Sequence, residues 1–399
     1  MPPPRSHPLA VSRAARLADR AIAALWRSGV TPKPPLEPEY LWRIGARGFS
    51  RADETGGRSE EDAADFRARL EMLCRSLSDE ARLNALGHTM AYGQLTAAIR
   101  TRHRLGRLWR NRPELAKTPI AAPIVVLGQM RSGTTRVHRL LAADPAHAGT
   151  RFCDNLDPLP ARPDFRPLKA VAALAIARRI NPWLDTLHPF GATRVDEEIG
   201  WLSGALNPCA FEAQWRIRAY VGWSEGRQAA PVYREFTRIL RTDAVARGNA
   251  DKPRVLKCPQ YTEDIAAVAG CFPDARFVIA TRERGAVLDS AVSLVASQSA
   301  FQSDAVDLPA IRAEWERKLT LRDSRIAEAM PAIEGRSATM EFAALDSDWR
   351  AAMEQVYRTL AIPLSGPARL AMAREQRAAA DSPHRQHGAA LGRFAEADG

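Results

Sequence analysis

Apolar residues recur at three- and four-residue spacing through 14–26, 63–77 and 80–109, with polar loops near 32–38 and 50–60 between them. That pattern predicts amphipathic helices over the first 120 residues. The texture changes at Pro123. Short β-branched runs alternate with helical stretches, the arrangement of βαβ units around a parallel sheet, with strands placed at 124–127, 254–256, 276–280 and 337–341. Between the first two runs lies a long insertion, about 150–250, mostly helical and rich in Trp and Arg, where a substrate pocket and lid would sit. The expected organisation is an N-terminal helical segment (1–120), an α/β domain carrying the insertion (121–377) and a partly ordered tail (378–399).

The chain has 399 residues, 57 basic and 46 acidic, for a formal charge of +11. Its 26% charged and 46% hydrophobic residues are those of a globular chain, which excludes disorder as a description of the whole. No apolar run approaches the roughly 20 residues of a membrane span, so a cytoplasmic location without stable membrane insertion is expected. The Arg-rich start has no apolar core of the signal-peptide kind. Five scattered cysteines form no Cys-x-x-Cys pair, and no metal site or disulfide framework is expected. Only six of the basic residues are lysines, so the excess is arginine, whose fork fits phosphate and sulfate oxygens in pairs. The six arginines of 99–112 are acid-free, but a single interleaved aromatic reads as a solvated helix face, and no nucleic-acid partner is expected.

The strongest local signal is PIVVLGQMRSGTTRVHRLL, 123–141: an apolar strand, a glycine-bracketed loop and a helix. Such a loop aims backbone N–H groups and a helix N-terminus at an anion. Gly128 and Gly133 have Walker A spacing, yet Thr134 stands where a nucleoside triphosphatase has lysine. Neither 254–256 nor 276–280 ends in an aspartate for magnesium. The loop residues Arg131, Ser132, Gly133, Thr134 and Thr135 therefore read as a phosphate site of another kind.

These residues resemble the sulfotransferase family, in particular a bacterial branch whose loop reads Pro-Arg-Ser-Gly-Thr-Thr; Met130 replaces the proline. A second stretch, RVLKCPQYTEDIAAVAGCFPDARFVIATRERGAVLDSAVSL, is similar to the family's 3′-phosphate segment, and a third, TMEFAALDSDWRAAMEQVYRTLAIPLS, to its closing strand and helix. The resemblance implies a P-loop-like three-layer α/β sandwich with a central parallel sheet. It also implies an enzyme that moves a sulfuryl group from 3′-phosphoadenosine 5′-phosphosulfate to a hydroxyl or amine of a small-molecule, lipid or sugar acceptor, without metal, leaving adenosine 3′,5′-bisphosphate. By this resemblance Arg282 and Ser290, eight residues apart, hold the 3′-phosphate. The motif usually continues Arg-Asp-Pro, whereas this chain has Arg282-Glu283-Arg284.

Lys257, just after a strand, could face the transferring sulfonate. The histidine that serves as base in the family's cytosolic branch is missing after it, since Cys258-Pro259-Gln260-Tyr261 follow. Branches with an Arg-type loop use a carboxylate beyond the loop arginine, and Asp154 stands at the matching position. A second cluster, HPFGATRVDEEIGWLS (188–203), resembles an acidic family motif: Glu197 and Glu198 either cap a helix or, with His188, serve as base. The order of preference for the base is Asp154, Glu198, His188. In the tail His384, Arg385 and His387 offer a further phosphate-binding possibility. Trp183, Trp201, Trp215 and Trp223 are either pocket wall or core. The competing readings are a nucleotide or small-molecule kinase and a non-catalytic nucleotide-binding homologue.

Overall fold

The computed structural model describes residues 5–380. Five parallel strands form one sheet in the order β2-β3-β1-β4-β5: β1 Ile124–Gly128, β2 Ala148–Gly149, β3 Arg254–Lys257, β4 Arg276–Thr281 and β5 Ser337–Glu341. Four of them match the strands placed from the sequence to within a residue or so. The fifth, β2, has only two residues and no β-branched side chain, so no periodicity announced it.

A parallel sheet covered on both faces needs strands that are apolar throughout. β1 is such a strand, buried at every position. Ile124 and Val126 face a cluster with Val255, Val278, Leu140 and Tyr357. Val125 and Leu127 face the opposite cluster with Leu256, Phe277, Phe236 and Tyr261. Helices on each face complete a three-layer α/β sandwich. The N-terminal helices Arg13–Arg27, Glu60–Asp79 and Ala85–Asn111 fall close to the predicted windows. The last of these sends Leu105 and Trp109 into the same core as β1. Its arginine stripe is largely neutralised: Arg107 and Arg110 meet Asp53, and Arg104 meets Asp157.

The order of strands positions the site. β1 is central, with β3 on one side and β4 on the other, so the chain reverses its winding beside β1. In open α/β sheets a crevice opens there at the carboxyl ends of the strands. The loop after β1, Lys257 at the end of β3 and Arg282 just beyond β4 all lie on that edge.

Candidate active site

The loop after β1 holds its shape through two unusual backbone positions. Gly133 has φ +92°, and a Cβ there would stand 2.6 Å from the Phe342 ring, so only glycine fits. Arg131 also has a positive φ, 76°, a strain of order 1–2 kcal/mol that an L-residue carries only when its surroundings fix it. Gly128 N–H donates to the Thr262 hydroxyl at 2.8 Å, tying the loop's start to the sheet edge. The helix Thr134–Ala143 then begins at the loop, and the first-turn N–H groups of Thr134 and Thr135 find no acceptor in the described chain. Orphan N–H groups and the positive end of the helix dipole make a preformed anion seat.

Around this seat the cations converge. Arg131 Nε donates to Ser290 Oγ at 2.8 Å and its Nη1 to the Leu187 carbonyl at 2.7 Å. Arg282 Nη1 donates to the Arg131 carbonyl at 3.1 Å, and its guanidinium lies 4.3 Å from the Phe342 ring centre. Burial, and next the charge of Arg282, push the Arg131 guanidinium down to about 10. A dianion placed between the two would relieve that repulsion. Glu283, which stands where the family motif has aspartate, caps the following helix Arg284–Ser299 by accepting from Gly285 and Ala286 N–H at 2.6 Å each. That cap performs the helix-starting task of the absent proline.

Next to the anion seat is a cavity of about 560 Å³ lined by Arg131, Thr134, Thr135, Lys257, Arg282 and Ser290, and also by His188, Asp196 and Glu197 from the insertion. Lys257 Nζ pairs with Glu197 Oε2 at 2.8 Å. Glu197 Oε1 lies 3.8 Å from His188 Nδ1, and His188 Nε2 meets Asp196 Oδ1 at 2.8 Å. Burial pushes the Asp196 carboxyl up, but His188, foremost among its neighbours, outweighs this and holds it at about 2. Asp196 lies on the Nε2 side of the His188 ring, which leaves Nδ1 on the side of Glu197. The donor atoms of these three residues lie within 4.8 Å of one another, close enough to share a cation. Glu197 already has Lys257 and Asp196 already has His188, so two of the three are satisfied without one.

The other two base candidates are placed elsewhere. Asp154 does not line the cavity; its carboxylate is shielded from solvent and gripped in bidentate fashion by Arg151 at 2.7 Å, with Arg166 at 3.2 Å and Arg247 at 3.6 Å. Burial raises its proton affinity, but these arginines outweigh that and hold it below the usual carboxylate range. Glu198, next to Glu197 in sequence, turns the opposite way. It accepts from the Lys257 N–H at 2.9 Å and from Tyr261 OH at 3.0 Å, its other oxygen has no hydrogen bond, and burial pushes it up to about 7. Neither glutamate caps the helix Ile199–Gly204 through its side chain. The structure thus brings His188 to the cavity with Arg131, Lys257, Arg282 and Ser290, and leaves Asp154 and Glu198 in the core.

Another part of the cavity wall is largely apolar, with Leu184, Leu187, Leu294 and Trp315, and includes Glu212 and Arg322 among its polar groups. Behind these, Lys318 is fully buried against Glu212, Glu225 and Glu263. None of the four insertion tryptophans lines the cavity. Trp201 and Trp215 are core residues whose indole N–H groups donate to the Asp154 carbonyl and the Gln302 side chain. Trp315, which does line it, comes from the late helix Leu308–Ile333, where the sequence reading placed no site. Asp196 was likewise missed, although the Asp-Glu-Glu run was a visible signal. His384, Arg385 and His387 lie outside the described residues.

Residues 123–366, more than half of the chain, match the family described as sulfotransferase family. The chain belongs to that family. Two solved structures extend the likeness: sulfotransferase STF1 from Mycobacterium tuberculosis H37Rv, 24% identical over 91% of this chain and 100% of that one with a TM-score of 0.75, and sulfotransferase STF9 from Mycobacterium avium, 19% identical over 90% and 95% with a TM-score of 0.76. At these identities the likeness is one of fold. No curated protein matches the chain significantly. The sulfotransferase has, among its described residues, no helix long and apolar enough to cross a membrane.

Proposed function

We propose that this sulfotransferase takes its sulfuryl group from 3′-phosphoadenosine 5′-phosphosulfate and passes it to a hydroxyl or amine of a small-molecule, lipid or sugar acceptor. The observation that carries the reading is the meeting, at one cavity edge, of two distinct anion seats. The orphan N–H groups of Thr134 and Thr135 suit a 5′-phosphate; Arg282 and Ser290, beyond the loop and each hydrogen-bonded to the loop's Arg131, suit a 3′-phosphate, which ATP lacks. Thr134 in place of a lysine, and Thr281-Arg282 at the end of β4 in place of an aspartate, disfavour a kinase.

In this reading the acceptor oxygen or nitrogen attacks sulfur in line while the bond from sulfur to the departing phosphate oxygen breaks. Lys257, steered by Glu197, stabilises the charge that develops on the leaving side. His188 Nδ1 takes the acceptor's proton, and ionised Asp196 stabilises the imidazolium that results. His188 therefore replaces Asp154 as the favoured base.

Calorimetric titration with adenosine 3′,5′-bisphosphate and with ATP, each without and with magnesium, tests the reading. Micromolar, magnesium-independent binding of the bisphosphate and neglect of ATP are expected. Preference for ATP with magnesium would overturn it in favour of a kinase.

A further inference from the structure

The helix Arg166–Ile180 buries Ala170 and Leu174 but gives water no polar face in return. Phe165, just before it, is 56% exposed, and Leu168, Val171 and Ile176 are 66%, 55% and 66% exposed. At 3.6 residues per turn these four share one solvent-facing arc, together with Ala172 and Ala175. The polar members of that arc are Lys169 and Arg179, and no acid occurs between 166 and 180. An amphipathic helix normally turns its apolar stripe inward, so an outward stripe of this size marks an interaction surface.

The helix Arg13–Arg27 adjoins it, tied by Ser12 Oγ donating to the Ile180 carbonyl at 2.7 Å. Its exposed face is divided lengthwise, with Leu17, Ala21 and Leu25 on one side and Arg13, Arg16, Arg20 and Arg27 on the other. Its single acid, Asp19, is turned inward to accept from the Leu86 N–H at 3.0 Å. Among the described residues none of these four arginines, nor Arg179, has a carboxylate within 4.0 Å, while Lys169 reaches Asp157 at 3.5 Å. Apolar side chains next to cations without carboxylates are the chemistry of an interfacial helix on anionic lipid. A second copy of the chain would set like charges against one another.

We propose that the paired helices Arg13–Arg27 and Arg166–Ile180 dock the protein on the surface of an anionic bilayer. The apolar arc sits at the boundary of headgroups and acyl chains, and the arginines meet lipid phosphates. The surface adjoins the cavity: Leu184 and Leu187 of its apolar wall follow the helix directly, and Arg178 binds Asp185 at 2.7 Å and the Phe190 carbonyl at 3.3 Å. Delivery of a bilayer-held acceptor to that wall rests on the proposed transfer reaction; the docking does not.

The test is co-sedimentation of the full chain with vesicles of phosphatidylcholine alone and of phosphatidylcholine mixed with phosphatidylglycerol. Wild type is expected to favour the mixed vesicles about tenfold or more, and less so at high salt. L168E/I176E should lose about tenfold in binding to the mixed vesicles while keeping its melting temperature, and R16E/R20E should lose the preference for anionic lipid. Failure of wild type to bind mixed vesicles, wild-type binding by L168E/I176E, or a dimer seen by light scattering that L168E/I176E dissolves would each overturn the proposal. Bisphosphate titration of the same variants is expected to be unchanged, which separates a failure of docking from a failure of the donor assignment.

Discussion

Replacing Arg282 with alanine is the sharpest probe of the donor site. Among the described residues the guanidinium makes one hydrogen bond, to the Arg131 carbonyl, and one ring contact, to Phe342, and the side chain is exposed. A surface hydrogen bond contributes about 0.5–1.5 kcal/mol and an exposed cation–π contact about 0.5–1 kcal/mol. Against a typical stability of about 5–15 kcal/mol the variant stays folded. A hydrogen bond between the guanidinium and a phosphate contributes about 1.5–3 kcal/mol. Exposure screens the charge, and Arg131, freed of a repelling neighbour, compensates in part, so the lower half of that range applies. The expected loss for adenosine 3′,5′-bisphosphate is about 1.5–2 kcal/mol, or about 12–30-fold in Kd. Adenosine 5′-monophosphate, which lacks the 3′-phosphate, should lose about twofold at most in the same calorimetric assay. Wild-type affinity for the bisphosphate, or an equal loss for both nucleotides, would refute a 3′-phosphate seat at Arg282.

His188→Gln should lower kcat by about 10²–10⁴-fold, with whichever acceptor a hydroxyl and amine screen returns, and leave bisphosphate affinity within about twofold; an unchanged kcat would remove His188 as base. Asp154→Asn should act on stability, since it leaves three arginines around a neutral amide. Removing one partner of a buried pair costs about 3–5 kcal/mol, and the partial exposure of Arg151 and Arg247 favours the lower end. Because Asp154 is held below its ordinary value, its stabilisation is present above the unfolded pKa and is lost as pH falls through the folded one. The gap in Tm between wild type and variant should therefore narrow in acid, and a gap constant from pH 7 to 3 would count against the arginine cage. Glu198 has the opposite sign: its folded pKa, about 7, is raised, so stability is fully present below the unfolded value and is lost as pH rises through 7. Glu198→Gln keeps an acceptor for the Lys257 N–H and Tyr261 OH and should raise Tm at pH 8, with the difference vanishing near pH 4.

The fold was legible because burial on both faces leaves a plain mark. Residues 124–127 and 277–280 are unbroken apolar runs, and a parallel sheet is the arrangement that needs them. The glycine loop was legible for a related reason, since Gly133 is required by both its φ and the Phe342 ring. β2 was not, because a two-residue strand is defined by its partner Arg254–Val255 and not by its own side chains. Arg282 and Ser290 were singled out by the family resemblance, and the helix Arg284–Ser299 brings both into contact with Arg131.

The base could not be read the same way, and Glu197 and Glu198 show why. They are identical in chemistry and adjacent in sequence, and either fits a motif. What separates them is the direction of each side chain as the insertion crosses the end of β3. Glu197 meets the Lys257 ammonium at the cavity, whereas Glu198 meets the Lys257 backbone N–H inside the core. One lysine thus fixes both glutamates, one through its side chain and one through its main chain. That tertiary contact spans about sixty residues and leaves no trace in local spacing. Asp154 is the converse case: it stands at the motif position, but Arg151, Arg166 and Arg247, drawn from three separate segments, convert it into a structural ion. In so arginine-rich a chain, a carboxylate's position in sequence says less about its role than the number of guanidinium groups the fold gathers around it. His188 meets Asp196 and opens toward Glu197, and it is the predicted base candidate that the fold leaves facing the cavity.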